Sequence, residues 1–265
     1  MILLLDVGNT HTHLGLANSK RVVRHHDIKT SNWASGLAQQ QTAAFKGSHP
    51  ITGVAWCSVV PEATRLISIW SARSLGIQGV ELTFRNLVGV GVRYRRPETI
   101  GPDRLANAVA VKCRFGAPAL VVDFGTAVTF DVVDPAGDYV GGIIAPGLSC
   151  MTDYLHEKTA LLPRIKIREP KGTIGRSTRQ AMLAGAVHGY RGLIKELIYQ
   201  IRKELDVEYL PVVATGGYAR LIAANLPEIT LVDPLLTLEG LRIVAQAQLG
   251  PPKIKKPSFD TPSTV

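Results

Sequence analysis

The turn Asp6-Val7-Gly8-Asn9-Thr10 is the first segment whose residue types can do chemistry, and it follows an apolar run. Its glycine exposes backbone N–H groups, Asn9, Thr10 and the nearby Thr12 add side-chain donors, and Asp6 can hold magnesium through the ion's water shell. These are the groups that a polyphosphate needs. The same residue types also fill ordinary hairpin turns, so this segment alone leaves both interpretations open.

A second segment, Asp123-Phe124-Gly125-Thr126, repeats this pattern when residues 120–133 are aligned with residues 3–16. Each segment has an apolar strand, an aspartate near its end, a glycine turn and a second alternating strand, which predicts two β-hairpins. The repeat predicts two related α/β halves with a cleft between them. Two acid-tipped turns that face one cleft would bracket a phosphate chain and its cations.

The segment Gly101-Pro102-Asp103-Arg104 precedes a run of helical period. By spacing alone, Asp103 is best read as a helix N-cap that accepts backbone N–H bonds. The alternative is a general base beside a substrate hydroxyl, with Arg104 binding an acidic group of that substrate. The glycine-marked turns 141–147 and 214–219 would let the backbone approach a phosphate or an adenosine, although a tight strand-to-helix connection is the commoner use.

Two other groups of residues invite functional interpretations that we do not favour. His11 and His13 lie on one strand face, but without further metal ligands in a recognisable spacing we expect them to face solvent or phosphate rather than a metal. Arg164, Lys166 and Arg168 alternate with isoleucines. This basic strand face could bind nucleic acid, but an edge strand that carries charge against mispairing is preferred.

Strand-like runs alternate with longer helical segments along the chain, which is the α/β pattern. We predict strands over 54–60, 79–84, 119–123 and 211–214, and helices over 62–75, 103–114 and 178–205. Three glycines in the last helix, Gly185, Gly189 and Gly192, indicate close packing or a bend. We expect an N-terminal half over 1–115, a C-terminal half over 116–250 and a flexible tail over 251–265.

Composition narrows the class of protein. Of the 265 residues 46% are hydrophobic and 19% are charged, which excludes a disordered polymer. Three widely spaced cysteines argue against a disulfide framework or structural zinc. The N-terminal apolar run is too short for a signal peptide and no apolar stretch is long enough for a membrane helix, so we expect a cytoplasmic protein without membrane association. The net charge of +9 favours polyanionic partners without choosing among them.

Five segments in order resemble the type III pantothenate kinases, within the superfamily of acetate kinase, sugar kinases, Hsp70 and actin. They are the Asp6 turn, Ser58-Val59-Val60-Pro61, Gly101-Pro102-Asp103-Arg104, Asp123-Phe124-Gly125-Thr126-Ala127, and the loop from Gly141 to Gly147. The resemblance covers the chain except for its tail. It implies two ribonuclease H-like halves in an actin-like ATPase fold, with a cleft between them.

The resemblance also implies an activity and its residues. The activity is ATP-dependent phosphorylation of the primary hydroxyl of pantothenate to 4'-phosphopantothenate, the first step of coenzyme A biosynthesis, by a homodimer. Asp103 would be the proton acceptor, and Asp123 would bind a monovalent cation, potassium or ammonium. ATP would bind to Asp6, Val7, Gly8, Asn9, Thr10, His11, Thr12, His13 and Thr126, and pantothenate to Tyr94, Gly101, Pro102, Asp103, Arg104 and Thr178.

Two alternatives come from related proteins. A transcriptional activator of the same family would fit the basic charge, but it would be expected to lack the acidic positions Asp6, Asp103 and Asp123, all of which are present. Nucleic acid is therefore not an expected partner. A kinase for a sugar or an acetate-like acid would share the fold, but the segment 101–104 argues against it.

Overall fold

The computed structural model describes residues 1–250, so the predicted flexible tail lies outside the described residues. The strands are β1 Ile2–Val7, β2 His11–Ala17, β3 Val22–Lys29, β4 Gly53–Ser58, β5 Val80–Glu81, β6 Gly91–Val92, β7 Ala119–Phe124, β8 Ala127–Val133, β9 Asp138–Pro146, β10 Val212–Thr215 and β11 Leu231–Val232. The helices are α1 Leu37–Lys46, α2 Pro61–Leu75, α3 Pro102–Phe115, α4 Leu148–Lys158, α5 Thr178–Glu204, α6 Ala219–Ala223 and α7 Leu236–Leu249. All four predicted strands and all three predicted helices are present, with shifted ends.

The two sheets repeat one topology. The first has the strand order β3-β2-β1-β4-β5, and the second has β11-β10-β7-β8-β9-β6. In each sheet the central strand, β1 or β7, pairs antiparallel with the next strand of its hairpin and parallel with β4 or β10. Both predicted hairpins are confirmed. The second turn is one residue shorter than the first, since residues 8–10 separate β1 from β2 and only residues 125–126 separate β7 from β8.

The alternation of side chains along the strands builds the layers. Leu3 and Leu5 of β1 pack with α1 and α2 in one cluster, whereas Leu4 packs with α3 and α7 in another. In β7, Leu120 and Val122 pack with α5 and α6, whereas Val121 faces the cluster that contains α3 and α7. Because successive strand residues point to opposite faces, each sheet is covered on both sides. The layers are α1 and α2, the first sheet, α3 and α7, the second sheet, and α4 to α6.

The two middle helices cross very closely. A Cβ built on Gly240 of α7 would lie 1.9 Å from the carbonyl oxygen of Ala106 in α3, so only glycine fits at this crossing. Helix α7 packs on β1 and β4 of the first sheet, whereas α3 packs on β7 and β8 of the second. The last described helix therefore covers the sheet that comes first in the chain.

Three local predictions are corrected. Gly101 is the N-cap of α3, and no side-chain oxygen caps the helix, so the interpretation of Asp103 as the cap is wrong. Residues 164–168 form no strand, because they pair with none of the strands of the two sheets within residues 1–250. The three glycines of α5 are exposed, and no atom lies within 4 Å of a Cβ built on any of them, so the prediction of close packing within the chain is wrong, whereas the bend stays a prediction.

Candidate active site

The two hairpin turns meet at their hydroxyl groups. Thr10 Oγ1 lies 3.4 Å from Thr126 Oγ1, and both residues are exposed. Thr30 stabilises the first turn through two hydrogen bonds. Its hydroxyl donates to the carbonyl of Gly8 at 2.7 Å, and its N–H donates to the carbonyl of Thr10 at 3.1 Å. The exposed hydroxyls, with the N–H groups of the turns, make a polar rim that suits phosphate oxygens.

Not every residue of the first turn reaches this rim. Thr12 is fully buried, and its hydroxyl lies 3.1 Å from that of Thr30 and accepts a hydrogen bond from the indole of Trp33 at 3.2 Å. Val7 is buried in the core as well. The expectation that Thr12 offers a side-chain donor to a ligand is therefore wrong, because its side chain points into the protein to support the turn.

Asp6 and Asp123 lie at equivalent places near the ends of the two central strands. Burial raises the pKa of Asp6 to about 6, an effect that the charge of His13 opposes and that of Asp103 reinforces. Burial, together with the charges of Asp6 and Asp103, raises the pKa of Asp123 to about 7. Three carboxylates thus repel one another in one cleft, and their charge favours the binding of cations there.

Asp103 lies in the first turn of α3, where its carboxylate folds back over the glycine before the helix. A Cβ on Gly101 would meet Asp103 Oδ1 at 2.5 Å. That oxygen is buried, and no hydrogen-bond partner for it exists among residues 1–250. Burial raises the pKa of Asp103, although the N–H and the guanidinium of Arg104 act against this. A buried carboxylate oxygen without a donor is ready to accept a proton or a hydrogen bond from a ligand.

Arg104 is largely buried and points toward β8. Its Nε donates to Asp131 Oδ1 at 2.6 Å, and its Nη2 donates to the carbonyl of Phe130 at 2.9 Å. Within residues 1–250 no hydrogen bond engages Nη1. The guanidinium therefore keeps one nitrogen for a ligand while two others fix its position.

Aromatic rings extend the site on the Arg104 side. The guanidinium lies 5.9 Å from the ring centre of Tyr139, and that ring lies 6.2 Å from the ring of Tyr94, which is half-exposed. A Cβ on Gly141 would touch the Tyr94 ring at 3.3 Å. The hydroxyl of Tyr139 is buried without a partner in the described chain. This wall gives an elongated acceptor both apolar surface and polar groups.

His13 flanks the Asp6 side of the cleft. Its Nδ1 lies 2.7 Å from Asp27 Oδ1. Burial lowers the pKa of His13, but the hydrogen bond with Asp27 and the charge of Asp6 outweigh this and raise the pKa to about 9. The ring is therefore an imidazolium at neutral pH. Within residues 1–250 no group of three or more His, Cys, Asp or Glu side chains is arranged to hold a metal ion.

Two predicted segments lie differently from the rest. Thr178 is the exposed first residue of α5, and no hydrogen bond within residues 1–250 joins it to the carboxylate cluster. The turn after β10, expected to approach a nucleotide, lies directly against the end of β7. A Cβ on Gly216, whose φ is +88°, would lie 2.6 Å from Asp123 Oδ1.

Several polar residues of the site were missed from the sequence: Cys57, Asn107, Asp131, Tyr139 and Thr237. Cys57 on β4 donates its thiol to Asp6 at 3.4 Å. Asn107 and Asp131 did carry a signal, because each interrupts an apolar helix or strand run and a buried polar group needs a partner.

Comparison with known proteins decides the family. A model of the family described as type III pantothenate kinase matches residues 2–200. A type III pantothenate kinase from Akkermansia muciniphila is 44% identical over 247 residues, which cover 93% of this chain and 99% of that protein. Another from Methylacidiphilum infernorum is 41% identical over 92% of this chain and 88% of that protein. The chain belongs to the type III pantothenate kinase family. The prediction of a kinase that phosphorylates pantothenate is thereby confirmed.

Solved structures share the fold of this chain. A protein from Campylobacter jejuni described as a Baf family transcriptional activator superposes with a TM-score of 0.60 at 18% identity, covering 93% of this chain and 98% of that one. (R)-2-Hydroxyglutaryl-CoA dehydratase component A from Acidaminococcus fermentans gives 0.51 at 14% identity, covering 92% and 95%. Such likenesses show the fold alone. They confirm the predicted actin-like architecture and give no support to the activator alternative.

Proposed function

We propose that Asp103 is the proton acceptor of the phosphoryl transfer. The observation that carries this role is its buried Oδ1, which accepts no hydrogen bond within residues 1–250. Burial also raises the pKa of the Asp103 carboxyl, which lies in the same cleft as Asp6 and Asp123. As the primary hydroxyl oxygen of pantothenate bonds to the γ-phosphorus of ATP, the bond from that phosphorus to the β–γ bridging oxygen breaks, and ADP leaves. Asp103 takes the hydroxyl proton late in this step, and its raised pKa makes it a better acceptor than an ordinary aspartate.

The phosphate chain of ATP is assigned to the rim formed by the two turns. Support comes from the approach of Thr10 to Thr126 and from the glycines that open both turns. Asp6 would hold magnesium through water and Asp123 a monovalent cation, because oxygen ligands suit both ions and burial has left these carboxylates short of counter-charge. Bound cations would offset the charge that gathers on the phosphates.

Pantothenate is assigned to the side of the cleft formed by Tyr94 and residues 101–104. Nη1 of Arg104 would bind its carboxylate, and the Tyr94 ring would cover its apolar part. Gly101 and Pro102 would line the approach to Asp103. Thr178 belongs to this set by the resemblance alone.

Steady-state ADP release with Mg-ATP and pantothenate tests the role of Asp103. We expect Asp103→Asn to lower kcat by about 10²-fold or more, with smaller changes in either KM. The control is Asp233→Asn, which removes a carboxylate that pairs with Arg114 and accepts from the N–H of Leu235, and it should retain wild-type kcat. A kcat within threefold of wild type for Asp103→Asn would refute the role.

The monovalent cation is tested by exchanging potassium for sodium at constant ionic strength. We expect wild-type activity to require potassium or ammonium, and Asp123→Asn to lose this difference between ions. If Asp123→Asn still responds to potassium with the wild-type half-saturating concentration, Asp123 is not the ligand.

We further propose a homodimer in the cytoplasm. The support for a second copy is the apolar exposure of α4 and the following loop, where Tyr154 is 62%, Leu161 90% and Ile174 88% exposed, next to the open glycine face of α5. Three free cysteines suit a reducing compartment. None of the helices within residues 1–250 meets the length and apolarity required to cross a membrane. Sedimentation of the wild-type protein should give twice the mass of one chain. Sedimentation of Tyr154→Arg should give the mass of a single chain.

A further inference from the structure

We propose that Asp131 is a positioning residue of this kinase, which holds Arg104 ready for the acceptor and connects it through Asn107 to the Asp123 carboxylate. The proposal rests on the proposed function, in which Arg104 binds the acceptor carboxylate and Asp123 the cation. Asp131 lies in the middle of β8 and is fully buried. It cannot touch either substrate, so any effect on the reaction must pass through its neighbours.

Both oxygens of Asp131 accept hydrogen bonds from residues of α3. Oδ1 accepts from Nε of Arg104 at 2.6 Å, and Oδ2 accepts from Nδ2 of Asn107 at 3.2 Å. The two donors are three residues apart on one helix face, so a single carboxylate spans them. A planar guanidinium held through Nε, with Nη2 on the carbonyl of Phe130, has its remaining nitrogen fixed in direction.

The second arm of the network ends at Asp123. Nδ2 of Asn107 lies 3.5 Å from Asp123 Oδ2, at the limit of a hydrogen bond. The orientation of the Asn107 amide is set from its other side, because the hydroxyl of Thr237 donates to Oδ1 at 2.8 Å. With that oxygen engaged, Nδ2 must face the two carboxylates. Asp131 and Asp123 thus share one amide group.

The network is built as a unit. Without its two donors, Asp131 would be an uncompensated buried charge. Without Asp131, the only hydrogen bond left to the Arg104 guanidinium within residues 1–250 would be the one to the carbonyl of Phe130. An ordinary structural ion pair would need neither Asn107 nor Thr237. The arrangement instead aims one nitrogen of Arg104 and one amide of Asn107 at the two sides of the cleft that the reaction uses.

Asp131→Asn tests the proposal while preserving shape. The new amide presents a donor either to Arg104 or to Asn107, both of which are donors, and Thr237 opposes a flip of Asn107. We expect the KM for pantothenate to rise about tenfold or more, with the KM for ATP within twofold of wild type. A general loss of folding or stability would change the KM for pantothenate and the KM for ATP together, or neither of them. A rise in both, or no rise for pantothenate, overturns the proposal.

Two further variants keep the test decisive. Glu239→Gln removes a buried carboxylate that bonds Arg242 at 2.6 Å outside the network, and it should leave the KM for pantothenate within twofold. Thr237→Val releases the Asn107 amide without touching either charge and should raise the KM for pantothenate about three- to fivefold, so the proposal can be judged even if Asp131→Asn does not fold. An unchanged KM in Thr237→Val, with Asp131→Asn unfolded, overturns it. Failure of the proposed function would show differently, as wild-type protein whose ADP release does not depend on pantothenate.

Discussion

At the scale of single residues, the site is a concentration of negative charge that the protein alone does not neutralise. Asp6, Asp103 and Asp123 are each shifted toward protonation by burial, and at Asp123 the other two carboxylates add to the effect. Two cations lie beside these carboxylates: the imidazolium of His13 acts on Asp6, and the guanidinium of Arg104 acts on Asp103. We therefore expect bound cations, together with the proton taken from the acceptor, to offset this negative charge during turnover.

If His13 contacts the phosphates of ATP as proposed from the resemblance, we expect its pair with Asp27 to make ATP binding depend on pH. The imidazolium of His13 is present below a pKa of about 9, so its attraction for phosphate is full at neutral pH and is lost as pH rises through about 9. Any stability from the pair follows the same sign: it is complete below the unfolded pKa of about 6.5 and is lost through the same upper range. We expect the KM for ATP to rise between about pH 8 and pH 10.

Asp27→Asn should move that rise to lower pH, because it removes the hydrogen bond that holds the proton on His13. An NMR titration of the His13 ring measures the shift directly. The control is Asp206→Asn, at an exposed site just after α5, and in this variant the His13 ring should titrate as it does in the wild-type protein. An unchanged His13 midpoint in Asp27→Asn would contradict the assignment.

At the scale of elements, the crossing of α3 and α7 positions the chemistry. Helix α3 carries Asp103, Arg104 and Asn107 on one side and touches α7 at Ala106, and α7 returns Thr237 to Asn107. The close approach at Gly240 makes this possible, since a wider crossing would move the Thr237 hydroxyl out of reach. Packing and catalysis thus depend on the same contact.

Gly240→Ala should destabilise the protein by about 1–3 kcal/mol, because its Cβ would be forced against a backbone carbonyl that cannot move aside. The matched control is Gly172→Ala, an open position where the same change should add about 0.4–1 kcal/mol by restricting the unfolded chain. Urea unfolding measures both. Equal effects of the two changes would show that the helix crossing is not tight.

The sequence predicted elements better than it predicted the partners of polar residues. Apolar runs and their period located the strands and helices because burial of those faces is a local requirement. The N-cap prediction for Asp103 failed because Gly101 and Pro102 begin the helix two residues earlier. The links from Asp131 to Arg104 and from Thr237 to Asn107 join residues 27 and 130 positions apart, and no local pattern encodes such pairings. Segment 164–168 has alternating residues, but within residues 1–250 it pairs with no strand.

At the scale of the whole molecule, the two halves share a layer of helices between their sheets. The first sheet is covered on its inner face by α7, and the second sheet by α3, so each half is completed by a helix from the other side of the predicted boundary at 115 and 116. The apolar inner residues Leu4, Ala55 and Cys57 rely on this cover. We therefore expect a single cooperative unit rather than two independent domains.

Removal of α7 should abolish folding of both halves. A chain of residues 1–235 lacks the helix that covers the first sheet and the Thr237 hydroxyl, and we expect it to aggregate or to bind a dye for exposed apolar surface. A chain of residues 1–250 is the control and should unfold in one transition at the temperature of the full protein. Cooperative unfolding of residues 1–235 near that temperature would refute the expectation.

The exchange of helices also orders events during synthesis. All strands of the first sheet have been synthesised by residue 81, but the helix that covers its inner face, α7, is synthesised only at residues 236–249. At about 5–20 residues per second, its inner face stays open for about 8–34 s while the rest of the chain is translated. The N-terminal half is thus made first and finished last, and we expect its tendency to aggregate to be greatest in that interval.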